Sequence, residues 1–257
     1  MTLTHQIKSF LHYKKNSVSK HGVHSPFVFD LVTKVFPDKN QDYSEHIAED
    51  WRTDCAVNKN TINVLDLGTG KSGKRKIFDI ARKSAKGPKQ GQLLFRILKH
   101  FHPKKMLELG TSLGITTLYE ATATDFEKFI TLEGCPETAA KAKEAFQFNQ
   151  LNIDIRIGDF DATLNDALQT LGKVDYVFFD GNHKQEPTLR YFETCLPYIH
   201  NNTLFIFDDI HWSEEMESAW KKIKQHPKVK LTIDVFHFGL VFFRTEQLEK
   251  EDFILKF

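Results

Sequence analysis

From His102-Pro103 onward the chain alternates short apolar runs with helical stretches, and this rhythm constrains the fold more than any other feature. The runs are Met106 to Leu109, Phe129 to Leu132, Ile153 to Ile157, Tyr176 to Phe179 and Leu204 to Phe207. Between them, helical patterns start at Leu113, Pro136, Asp161, Glu186 and Ser213. Strands that alternate with helices pair in parallel, and right-handed crossovers lay the helices on both faces of the sheet. Five strands that alternate with helices in this way imply a parallel sheet covered on both faces. Two further runs, Leu231 to Phe236 and Leu240 to Phe243, flank a short turn at His237-Phe238-Gly239. The expectation is an α/β fold: a doubly wound, seven-stranded sheet of five parallel strands plus a C-terminal antiparallel hairpin.

Residues 1–88 read differently, as a mostly helical cap preceding a domain over 89–257. Ile7, Phe10 and Leu11 fall at helical spacing. Ser25-Pro26 reads as an N-cap followed by proline in the first turn, and Pro37 ends that helix. Ile47, Trp51 and Cys55 share one helical face; a strand-like run from Ile62 to Leu67 leads into a Gly/Lys turn and a basic helix that breaks near Gly87-Pro88. Gln92 to Phe101 reads as a helix burying Leu93, Leu94, Ile97, Leu98 and Phe101. With 40% apolar and 27% charged residues the chain is too rich in core formers for a disordered one. No apolar run reaches the roughly 18 residues of a membrane span, and Met1 to Lys20 has no continuous apolar stretch of the signal-peptide kind. Cys55, Cys135 and Cys195 are scattered, with no C-x-x-C, so a cytoplasmic protein with reduced thiols is expected.

Ligands of such sheets bind beyond the carboxyl ends of the strands. The segments there are Glu108 to Gly114, Glu133 to Pro136, Gly158 to Asp161, Asp180 to His183 and Asp208 to His211, and each carries an acid or a glycine. Two glycine loops compete for a ligand. Asp66 to Lys74 satisfies G-x-x-x-x-G-K of a triphosphate loop through Gly68, Gly73 and Lys74, but Arg75 stands where a hydroxyl should meet magnesium. In Glu108 to Gly114, Gly110 permits a tight turn and Gly114 a close backbone approach to a ligand. Glu133 follows Glu108 by 25 residues, where an acid accepts ribose hydroxyls. Nothing comparable follows the first loop, so the second is preferred.

Residues from about 90 to 245 resemble a class I S-adenosylmethionine-dependent methyltransferase, most closely the small-molecule O-methyltransferases related to catechol O-methyltransferase, and so imply a Rossmann-like sheet. E-L-G-T-S-L-G-I-T-T is similar to that family's first motif, I-T-L-E-G-C-P-E-T-A-A to its ribose segment and I-R-I-G-D-F-D to its adenine-side segment. V-F-F-D-G-N-H resembles the strand-four acid loop and F-I-F-D-D-I-H the strand-five segment. The resemblance implies S-adenosylmethionine as cofactor. Glu108 and Asp180 would accept from its ammonium, and Gly110, Thr111, Ser112, Gly114 and Thr116 would present N–H groups and hydroxyls to its carboxylate. Glu133 and Gly134 would take the ribose, and Gly158, Asp159 and Phe160 the adenine. Asp159 also reads as a helix N-cap, and Phe160 as a core residue.

The same resemblance implies, as in the metal-dependent members, that Asp180, Asp208 and Asp209 hold a divalent cation such as magnesium. Asp209 departs from the asparagine of the catechol enzymes. His183 stands where those enzymes place a catalytic lysine and is a candidate base together with Asp180; His211 is a second candidate, as base or metal ligand. The implied partner is a small hydroxylated acceptor, with no membrane and with a homodimer as the oligomer. Lys71 to Lys105 carries twelve Lys or Arg against one acid, Asp79. That stretch supports an alternative RNA substrate, although no N-P-P-Y motif follows strand four. A nucleotide hydrolase using Gly68 to Lys74 with Asp208 is the third reading.

Overall fold

The computed structural model describes residues 3–37, 44–68, 70–84 and 86–257. One sheet holds eight strands in the order Glu251–Ile254, Leu231–Asp234, Phe238–Phe242, Leu204–Asp208, Tyr176–Phe179, Lys105–Leu109, Lys128–Glu133 and Ile153–Ile157, and Thr61–Val64 and Gly73–Lys76 form a separate ribbon. The chain divides into two compact units, Met1–Asp38 with Lys173–Phe257, and Lys39–Gly172. Among the described residues no helix is long and apolar enough to cross a membrane.

In the unit of Lys39–Gly172, β3 (Lys105–Leu109), β4 (Lys128–Glu133) and β5 (Ile153–Ile157) pair in parallel. They alternate with α6 (Ile115–Thr122), α7 (Pro136–Phe148) and α8 (Phe160–Leu171), close to the expected starts. Ahead of them come α3 (Glu45–Val57), the antiparallel pair β1 (Thr61–Val64) and β2 (Gly73–Lys76), α4 (Ile77–Ser84) and α5 (Pro88–Phe101). In α5, Leu93, Leu94, Ile97 and Leu98 are fully buried as expected, while Phe101 is half-buried. The front of the chain is less helical than its pattern predicts. Four residues of the basic stretch, Gly73–Lys76, form a strand because their neighbours Thr61–Val64 offer a ladder of backbone partners.

In the other unit, β6 (Tyr176–Phe179) and β7 (Leu204–Asp208) run parallel. They are joined through α9 (Gln185–Cys195), and β7 leads into α10 (Glu214–Gln225). The hairpin of β8 (Leu231–Asp234) and β9 (Phe238–Phe242) places β9 antiparallel between β7 and β8. The turn falls at Val235 to His237, not at His237 to Gly239. Gly239 lies inside β9, where a Cβ would stand 2.7 Å from the Trp220 ring, so this glycine answers to packing rather than to turning. The sheet has an eighth strand beyond the seven expected, β10 (Glu251–Ile254), parallel to β8. It is a half-buried edge with mixed polarity, and its short pattern carries no apolar run to reveal it.

Many of the phenylalanines fill this core: Phe179 stacks on Phe207 at 4.3 Å, and Phe192, Phe205 and Phe243 meet edge to face. Such pairs each add about 0.5–1.5 kcal/mol beyond area burial. The helices α1 (Leu3–Asn16) and α2 (Pro26–Asp30) belong to the same unit. The Tyr13 hydroxyl donates to the Leu255 carbonyl, and Val18 bridges to Leu255. The stripe Ile7, Phe10 and Leu11 is turned outward, at 51%, 41% and 63% exposure.

Candidate cofactor and cation site

At the end of β3, Glu108 is fully buried. Its Oε2 accepts from the Thr117 hydroxyl at 2.7 Å and the Thr131 hydroxyl at 2.6 Å, while Oε1 is buried without a hydrogen-bond partner. Burial pushes this carboxyl up to about 7, against the pull of the two hydroxyls. The loop that follows folds back on β4: the Gly110 and Thr111 N–H groups donate to the Leu132 carbonyl. The Thr111 side chain is buried against Thr131 at 2.6 Å, so its hydroxyl serves the loop rather than a ligand. Ser112, at φ 48°, donates its N–H to Glu133 Oε2 at 2.7 Å, and Cys135 donates to Glu133 Oε1 at 2.8 Å. Two backbone N–H groups from two loops thus fix the Glu133 carboxylate, leaving each oxygen further accepting capacity. Burial raises this group's pKa and the N–H bonds oppose the rise.

Gly114 adopts the left-handed conformation at φ 77°, and a Cβ there would stand 3.0 Å from Ala142 and Phe146. The close packing of α7 leaves no room for a side chain at this position. The Gly110 to Gly114 N–H groups are largely spent within the chain; the unsatisfied donors of the turn are those of the first turn of α6, beginning with Ile115 and the buried Thr116. Helix N-termini attract anions. At the end of β5, Gly158 donates to the Glu133 carbonyl at 2.9 Å, and Asp159 caps α8 by accepting the Asp161 N–H at 2.8 Å. Phe160, the first residue of α8, is half-buried.

Several neighbours of this loop are not marked in the sequence. Thr131 lies opposite Glu108 in the parallel register, a pairing visible only once β3 and β4 are aligned. Trp51 of α3 donates its indole N–H to the Leu113 carbonyl at 2.8 Å, and the Tyr119 hydroxyl bonds Glu49. Leu67 lies over Gly134. Nothing local in the sequence marks these long-range contacts.

In the other unit, the register Phe179↔Phe207 makes Asp180 and Asp208 neighbours at adjacent strand ends. His183 Nε2 lies 3.6 Å from Asp180 Oδ1 and 4.0 Å from Asp208 Oδ2. Potential donor atoms of the three residues all fall within 4.8 Å of one another, with Asp208 buried and the other two half-buried. Asp209 is not in this group. Its backbone turns left-handed at φ 52°, its N–H donates to the His237 carbonyl, and its carbonyl accepts from Trp212. The trio that forms is therefore Asp180, His183 and Asp208, in place of the expected Asp180, Asp208 and Asp209.

His211 is held at both ring nitrogens, Nδ1 at 2.9 Å from Glu217 and Nε2 at 2.8 Å from Asp234, with its ring stacked on Phe236. Burial works against its charge, but the bonds and charges of Asp234 and Glu217 outweigh it and raise its pKa. An imidazole engaged at both nitrogens offers no lone pair, which corrects the expectation of a base or metal ligand. The Asp66 to Lys74 loop, whose residue 69 lies outside the described residues, does not form a triphosphate cradle. A strand rather than a helix begins at Gly73, and Arg75 bonds Asp66 at 3.3 Å. The basic residues of 71–105 are divided among β2, α4, α5, the start of β3 and the connecting segments that carry Lys71, Lys86 and Lys104.

Residues 107–210 match the family described as "Methyltransferase domain". No curated protein matches the chain in sequence. Among solved structures, the SAH-bound Podospora anserina methyltransferase PaMTH1 aligns with a TM-score of 0.60 at 16% identity, covering 95% of this chain and 97% of that one. The fold is a Rossmann-like methyltransferase fold. An O-methyltransferase from Bacillus cereus in complex with SAH gives 0.56 at 16% identity, over 84% and 95% of the two chains. TomG, an O-methyltransferase from Streptomyces achromogenes involved in tomaymycin synthesis and solved with SAM, gives 0.58 at 15%, over 84% and 95%.

Proposed function

We propose that this protein is an S-adenosylmethionine-dependent O-methyltransferase acting on a small hydroxylated acceptor. The observation that carries the reading is the Glu133 carboxylate, fixed at both oxygens by the Ser112 and Cys135 N–H groups in the loops where a ribose is held. The cofactor fits the residues present. Glu108 Oε1 is a buried acceptor without a partner, and the first turn of α6 has N–H groups for a carboxylate. When bound, the cofactor supplies an electrophilic methyl group on a sulfonium. The chain's own part is positioning, which supplies most of the acceleration in an in-line transfer. Glu133 and Gly134 would hold the ribose, and Gly158, Asp159 and Phe160 would border the adenine.

The acceptor hydroxyl must lose a proton, which calls for a base or a cation. Asp180, His183 and Asp208 would hold the cation. The two carboxylates suit magnesium or manganese, whereas the imidazole favours a transition-metal ion; either cation would acidify the hydroxyl. His183 is then a ligand; without a cation it is the base, with Asp180 beside it. Its three buried, free cysteines suit a reducing compartment such as the cytoplasm.

The test is calorimetry with S-adenosylhomocysteine, followed by methyl transfer from labelled cofactor to a panel of phenols and diols, with and without chelator. Binding that Glu133→Gln weakens at least tenfold supports the reading. Absence of binding to the unaltered protein overturns it, and full turnover in chelator removes the cation.

A further inference from the structure

The ribbon of β1 and β2 lies outside the matched residues 107–210, yet it is fastened beside Glu133. The Asn63 N–H and side-chain amide donate to the two oxygens of Glu137 at 2.7 and 2.8 Å. The Leu65 N–H donates to Cys135 Sγ at 3.3 Å, and that thiol lies 3.4 Å from the Asn63 carbonyl. These contacts pin the chain from residue 63 to 65 against Cys135, which follows Gly134, and Glu137 in the first turn of α7. Two residues on, Leu67 reaches the space above Gly134: a Cβ built there would stand 3.0 Å from Leu67 Cδ1 and 3.4 Å from Cγ. Leu67 thus occupies the volume into which a side chain at position 134 would extend. Leu65 and Leu67 are nevertheless 46% and 47% exposed.

Leu67 therefore packs with one side on the backbone next to the ribose acid and leaves its other side open. An adenosine whose ribose hydroxyls bond Glu133 carries its base past the residues that follow that acid. The residue there is a glycine, which has no side chain to lay against a ring. We infer that Leu67 supplies this missing apolar wall and positions the adenine of the cofactor, so that a segment outside the matched methyltransferase domain completes the cofactor site. The inference rests on the function proposed above. Leu67 is a positioning residue and takes no part in the transfer. The pinning of residues 63–65 is what makes it effective, because a wall held before binding loses little freedom when the ring arrives.

The experiment measures binding of S-adenosylhomocysteine and of S-ribosylhomocysteine, which lacks the base, to the full-length protein and to Leu67→Ala and Leu67→Met. Leu67→Ala is expected to weaken S-adenosylhomocysteine about tenfold, the worth of a few apolar contacts removed. It should leave S-ribosylhomocysteine unchanged, and Leu67→Met should restore binding to within about twofold, since methionine fills a similar volume. Unchanged affinity for S-adenosylhomocysteine in Leu67→Ala overturns the inference. So do equal losses for both ligands, which would mean that Leu67 only supports the loop carrying Glu133. Failure of the unaltered protein to bind S-adenosylhomocysteine is a different result, and it strikes the proposed function itself.

Discussion

Replacing His211 by glutamine should cost stability in a pH-dependent way. In the folded protein His211 lies between Asp234, at 2.8 Å and nearly buried, and Glu217, at 2.9 Å and about a third exposed. His5 lies 3.9 Å from the same Glu217 oxygen, and Tyr13, whose own pKa burial pushes up to about 12, is influenced by Asp234. A hydrogen bond to a charged group contributes about 1.5–3 kcal/mol. The Glu217 contact must be discounted for solvent screening, so the pair is worth about 2–3 kcal/mol while His211 is charged. Its pKa is raised in the folded state. The contribution is therefore complete below the unfolded value of roughly 6.5 and disappears as the pH climbs through the folded value. Glu217, lowered by its bonds to Ser9 and His211 in spite of burial, sets the other limb: its share is present above the ordinary carboxylate range and lost in stronger acid. Thermal unfolding followed by circular dichroism between about pH 5.5 and 9 reads the effect. The midpoint of His211→Gln should fall about 5–10 °C below that of the unaltered protein near pH 6, for a chain of this size. The gap should narrow steadily in alkali. A gap that stays constant across the range would refute the charged, doubly bonded imidazole.

Two further outcomes follow from the packing. Glu108, held up to about 7 by burial, keeps its proton more tightly folded than unfolded, so its presence makes stability decline as the pH rises from 4.5 towards 7. Glu108→Gln should gain on the unaltered protein by about 2–3 kcal/mol across that interval, measured by urea unfolding at several pH values; a parallel pH dependence in the two proteins would count against the buried acid. Gly239→Ala drives a methyl to 2.7 Å from the Trp220 ring and should destabilise by about 1–3 kcal/mol in the same assay, with a blue or red shift of tryptophan fluorescence. An unchanged midpoint and spectrum would show that the helix and strand have room to part.

The alternating strands were legible for two reasons: a strand covered on both faces is apolar along its length, as Tyr176 to Phe179 is, and the edge strand Ile153 to Ile157 alternates isoleucine with Asp154 and Arg156. Met106 to Leu109, Ile153 to Ile157 and Tyr176 to Phe179 appear within a residue of their expected bounds. β10 was not, because an edge strand held by half-buried mixed residues has no such signature. The stripe of Ile7, Phe10 and Leu11 announced a helix correctly but not which way it faces, since periodicity fixes a face and not its partner.

The same division runs through the site. The linear pattern of residues sets the order of the strands along the chain, and with it the residues delivered to their carboxyl ends: Glu108, Glu133, Asp180 and Asp208. Chain direction and period alone decide that delivery. Only the tertiary structure decided what each side chain then does. Asp180 and Asp208 come together with His183 rather than with Asp209, His211 is consumed by two carboxylates, and Leu67 arrives beside Gly134 from 67 residues upstream. These outcomes depend on register, on left-handed backbone at single residues and on contacts between distant segments. Such contacts leave no local pattern, because their energy comes from groups that meet only when the chain has folded.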